Sequence, residues 1–80
     1  MPLFYFNLHE CGSIVEDEEG RVCEDAADAR DKAFCEAREI MASEVKSGKL
    51  CLGCRMDVLD EKQALVLTVP FRDAIKISGN

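Results

Sequence analysis

Eighty residues leave room for one domain, spanning 1–80, and one hydrophobic core; a chain this short buries only about 60% of its unfolded surface. Apolar residues make up 48% of it, which excludes a disordered segment. Ten Lys and Arg against 16 Asp and Glu leave a net charge of −6; the bases are scattered singly, which argues against nucleic-acid binding through phosphates, and no stretch approaches the ~20 apolar residues that cross a bilayer.

The opening Met1 to Phe6 has no basic region before its apolar residues, and acid arrives by Glu10, so it does not read as a signal peptide and the cytoplasm is the expected compartment. Leu3 to His9 alternates: Phe4, Phe6 and Leu8 face one way, and Leu3, Tyr5, Asn7 and His9 the other. Period two with aromatics predicts a strand with one buried face. Cys11-Gly12-Ser13 turns the chain and Ile14-Val15 begins a short return. Asp17-Glu18-Glu19-Gly20 is a second corner, with Gly20 suited to a left-handed backbone.

Asp25 is a good N-cap, and Asp28 sits where a capping-box acid belongs. From Ala26 to Val45, the residues Ala26, Ala29, Ala33, Ala37 and Ile40 share one face, flanked by Phe34, Met41 and Val45. That stripe predicts a helix lying on a sheet, with Lys46 on its C-terminal dipole and Gly48 as its stop. Arg30 and Glu44 project into the stripe near its ends, where long side chains reach back to water. Cys35 falls on the polar face.

Leu50 to Cys54 connects the helix to a third strand over Arg55–Asp60, with Met56 and Val58 inward. A turn at Asp60–Gln63 leads to Ala64–Val69, whose aliphatic run predicts the central strand, apolar on both faces. Pro70 ends it, and Phe71 to Ile75 has the spacing of one packed turn. The order is β-β-α-β-β: an α+β fold, an antiparallel sheet of about four strands with one long helix packed on one face. The other face carries Tyr5, Asn7 and Val66, and a partly apolar uncovered face invites self-association.

These landmarks resemble an uncharacterised bacterial family of short proteins, a domain of unknown function. They are the opening Met1-Pro2-Leu3-Phe4-Tyr5-Phe6, the Asp17-Glu18-Glu19-Gly20 corner, the Ala-rich helix from Ala26 to Val45, and Val69-Pro70-Phe71. The resemblance runs from Met1 to about Ile77 and implies a one-domain bacterial protein; it carries no activity with it, and the cysteines are outside its pattern.

Chemistry, if there is any, resides in the thiols. Five cysteines is an odd number, and with no export signal a disulfide framework is not expected. Cys51-Leu52-Gly53-Cys54 has the spacing of a zinc or redox pair. A structural zinc needs four ligands, and the candidates to join Cys51 and Cys54 are His9, Cys11 and Cys23 at the first hairpin. The favoured reading is reduced, partly buried thiols with no cofactor. His9 lacks an orienting group or an oxyanion donor in the sequence, so no catalytic residue is assigned. The acidic run Glu16–Glu19 lacks the spacing of a calcium loop.

The function expected is therefore that of a non-enzymatic protein-interaction or regulatory module, its partner a second copy of itself. The alternative is a small metal-binding or thiol-redox protein built on Cys51 and Cys54. A third, by analogy of element order and charge, is an antitoxin-like partner of a basic protein.

Overall fold

In the computed structural model, which describes residues 2–10 and 12–79, the first strand β1 runs Leu3–Glu10 and turns into β2, Ser13–Val15. A third short strand, β3, Arg21–Val22, precedes the helix α1, Ala26–Lys46; β4, Arg55–Leu59, and β5, Leu65–Pro70, follow it. All pairings are antiparallel, in the order β2-β1-β4-β5, with β3 joining β1 on the same side as β2 but at its other end. The fold is α+β, with the one helix packed on one face of the sheet over β4 and β5.

The alternation in β1 works as its sequence predicts: Phe4 and Phe6 are buried and Leu8 packs against them. Met56 and Val58 of β4 are buried beside them, since β1 and β4 pair Phe6 with Val58 and Leu8 with Met56. The helix contributes Ala29, Ala33, Ala37 and Met41 at intervals of one turn, all buried. Methyl side chains let the helix axis come close to the sheet, and the larger Met41 fills the gap toward its end.

Two expectations about this layer need correction. Leu65–Val69 is not the central strand: β5 lies at the sheet edge, paired only with β4, and Leu65, Val66 and Thr68 are exposed. Its apolar run arises because Val69 is buried under the helix and Leu67 packs against the core, while Leu65 pairs with Leu59 on the opposite face. Val45 was expected to flank the packed stripe but is exposed. A helix of 21 residues is about 32 Å long at ~1.5 Å per residue, whereas the five residues of β4 span about 17 Å. The last turn overhangs the sheet.

The helix ends behave as read. Asp25 Oδ1 accepts from the Asp28 N–H at 2.8 Å, and Asp28 Oδ2 in turn accepts from the Glu24 N–H at 2.9 Å, one residue further back than in a capping box. Gly48 takes φ +91° just past the C-cap. Arg30 is exposed and lies 4.5 Å over the Phe34 ring. Glu44 differs from expectation: its Oε1 is shielded from water with no hydrogen-bond partner.

The Asp17–Gly20 corner solves a backbone problem. Pairings of Leu8 with Val15 and of Phe4 with Arg21 leave the outward N–H of Phe6 opposite neither β2 nor β3. Asp17 Oδ2 accepts it at 3.1 Å, while Asp17 Oδ1 accepts from Glu19 and Gly20 N–H groups at 3.2 and 3.0 Å. One carboxylate thus plugs the gap in the ladder and folds its own turn. Gly20 has φ +77°, and a Cβ there would lie 3.1 Å from the Phe4 carbonyl oxygen; strain and crowding both demand glycine.

Candidate functional site

On the face of the sheet away from the helix, strand register sets side chains in rows. His9 pairs with Arg55, and Asn7 with Asp57, which pairs in turn with Thr68. The result is a network around one carboxylate. His9 Nε2 stands 2.9 Å from Asp57 Oδ2, the Thr68 hydroxyl donates to Asp57 Oδ1 at 2.9 Å, and Arg55 Nε donates to the same oxygen at 3.3 Å. Arg55 Nη2 lies 3.2 Å from His9 Nδ1. Arginine offers only donors, so Nδ1 accepts and the proton of the neutral ring sits on Nε2, directed at Asp57. Both ring nitrogens of His9 and the Thr68 hydroxyl thus find partners inside the network. It ties three strands together.

The next row on the same face is apolar. Tyr5 pairs with Leu59, and Leu59 with Leu65, a cross-strand line on β1, β4 and β5 flanked by Leu3. Leu65 is 60% exposed. The outer face is thus polar and internally satisfied at one end and apolar at the other.

The thiols are dispersed. Cys54 is buried in the helix-side core and Cys51 is half-buried beside it, on a turn whose corners are Leu52 and Gly53. Both line a groove with Glu10, Glu44, Lys49 and Leu50. Cys23 is buried at the helix N-terminus, its thiol 3.9 Å from the Arg21 carbonyl oxygen; burial raises its pKa, with smaller opposing pulls from Lys32 and Arg21. Cys35 is exposed. Cys11 lies outside the described residues. Of the proposed metal set, the structure brings Cys51 and Cys54 together but turns His9 to the opposite face of the sheet. Among the described residues no three His, Cys, Asp or Glu side chains gather where one ion would meet them.

The model of a domain of unknown function, DUF6894, matches residues 3–72. The chain belongs to this family. No curated protein and no solved structure matches it. The landmarks of this DUF6894 chain have structural work to do. Phe4, Phe6, Val69 and Phe71 are core, the Pro2 carbonyl oxygen accepts from the Cys23 N–H at 3.1 Å, and Asp17 and Gly20 build the corner. Asp57, Arg55 and Thr68 were not singled out from sequence. Alternation places Asp57 outward, but its meeting with His9 appears only once Phe6 and Leu8 are set against Val58 and Met56.

Proposed function

We propose that this DUF6894 chain is a non-enzymatic protein-interaction module that pairs with a second copy of itself through the uncovered sheet face. The observation that carries it is the apolar row Tyr5–Leu59–Leu65 on a face no helix covers, with Tyr5 and Leu59 half-buried and Leu65 exposed. An antiparallel sheet tolerates water on one side when that side is polar; a contiguous apolar line there favours burial against a partner.

The edges are poorer candidates. On one side β2 has three residues and β3 two, with the Asp17 carboxylate between them. On the other, a register shift between Val58 and Leu59 kinks the β4–β5 ladder, and Pro70 closes it. Short strands, bulges and proline are the features that discourage edge pairing. Face-to-face contact also suits the charge: Asp57 is offset by Arg55, so the face does not add to the repulsion between two chains of net charge −6.

Sedimentation equilibrium of the wild-type protein and of Leu65→Asp tests this. Leu65 is exposed in the single chain, so the substitution leaves the core intact. A wild-type dimer that becomes monomeric in Leu65→Asp, with unchanged circular dichroism, is the expected result. A wild-type monomer, or a dimer indifferent to Leu65→Asp, overturns the proposal.

A further inference from the structure

The groove at the end of the helix brings together the two cysteines that the interaction surface does not use. Leu52 and Gly53 form the corners of a tight turn from Cys51 to Cys54. Such a turn holds its first and last Cα atoms within about 7 Å, which overlaps the ~4.4–6.8 Å window of a disulfide. The Cys51 side chain is folded back over this turn: a Cβ placed on Gly53 would lie 4.0 Å from Cys51 Sγ. Cys54 is fixed from the other side, where its carbonyl oxygen accepts from the Phe71 N–H at 2.9 Å immediately before β4 begins. The two thiols differ in access, Cys51 half-buried and Cys54 only 3% exposed.

We propose that Cys51 and Cys54 form a thiol switch, closed to an intramolecular disulfide by a small neutral or cationic disulfide. The Cys51 thiolate attacks one sulfur of the reagent, breaks its S–S bond and expels one thiolate, leaving a mixed disulfide on Cys51. Cys54 Sγ then attacks Cys51 Sγ and expels the second half. Two protein thiols are oxidised, one external disulfide is reduced to two thiols, and the two protons leave with them. Accessibility orders the steps: Cys51 is the entry thiol and Cys54 the resolving one. The groove wall carries Glu10 and Glu44 against Lys49, so its charge favours a cationic reagent over an anionic one.

The test exposes the full-length reduced protein to cystamine or to oxidised glutathione, traps remaining thiols by alkylation and maps the tryptic peptides. Cleavage after Lys49 and Arg55 isolates Leu50–Arg55 with both cysteines. The expected product is that peptide two hydrogens lighter and unalkylated, formed several-fold faster with cystamine at low salt. Cys54→Ser should instead accumulate a stable cystamine adduct on Cys51, and the exposed Cys35 serves as an internal reference for simple adduct formation. Recovery of Leu50–Arg55 as thiols or as double adducts while Cys35 has reacted overturns the proposal. So does a Cys54→Ser protein with no adduct on Cys51. Oligomeric state is read separately, so failure here leaves the interaction reading standing.

Discussion

Replacing Asp17 by alanine should cost more than any other surface substitution in the first half of the chain. The carboxylate accepts three backbone N–H groups, from Phe6, Glu19 and Gly20. Hydrogen bonds to a charged acceptor contribute about 1.5–3 kcal/mol each, but the three are not equal. Glu19 is exposed, and water replaces the carboxylate there at little cost. The Phe6 and Gly20 N–H groups are partly buried, and Phe6 lies in the gap between β2 and β3 where no strand can take over. Counting those two at the lower end gives a loss of about 3 kcal/mol. For a domain of this size that corresponds to a fall in melting temperature of about 12–24 °C. Urea unfolding followed by circular dichroism measures the loss, and amide exchange at Phe6 locates it. A change within about 0.5 kcal/mol, the usual range for an uninvolved surface site, would refute the reasoning, as would unaltered protection at Phe6.

Gln63 adopts φ +66° in the β4–β5 turn, where Asp60 Oδ1 already accepts from the Lys62 and Ala64 N–H groups. Gln63→Gly relieves the left-handed strain at the expense of a freer unfolded chain, and should raise stability by about 0.5–1 kcal/mol in the same urea assay; destabilisation would contradict the turn geometry. Asp28 has a pKa below its ordinary value because it accepts from the Glu24 N–H and from Lys32. A depressed folded-state pKa means this group's contribution is complete above the unfolded value and is lost as pH falls through the folded one. Stability should therefore decline on the acid side of the ordinary aspartate range, and Asp28→Asn should flatten that part of the curve of urea midpoint against pH. An unchanged slope would count against the assignment.

The parts of the fold legible in the sequence are those governed by local rules. Phe4 and Phe6 alternate, Asp25 and Gly48 mark helix ends, and Ala29, Ala33 and Ala37 repeat at the helical period; each reports a conformation its own neighbours dictate. Strand order is different. The run from Leu65 to Val69 is as apolar as a central strand, and nothing within it tells that Val69 and Phe71 face a helix while Leu65 faces water. The overhang of Val45 depends on the length of strands elsewhere. The outer-face network was hidden for the same reason: His9 and Asp57 are 48 positions apart, and only the register of β1 on β4 joins them. The Cys51–Cys54 pair was visible from spacing alone, while the orientation of His9 away from it was not.

Pro70 has a consequence beyond the folded state. The preceding Leu65-Val66-Leu67-Thr68-Val69 is uncharged, β-branched and aliphatic, the composition of segments that stack into cross-β fibrils when chains are unfolded. A ring that lacks an N–H and fixes its own φ interrupts the repeating ladder such stacks require. Arg72 and Asp73 follow two and three positions later, so the segment is bounded by a breaker and then by charge. The residue that ends the strand in the native sheet thus also acts as a gatekeeper against aggregation before that sheet has formed.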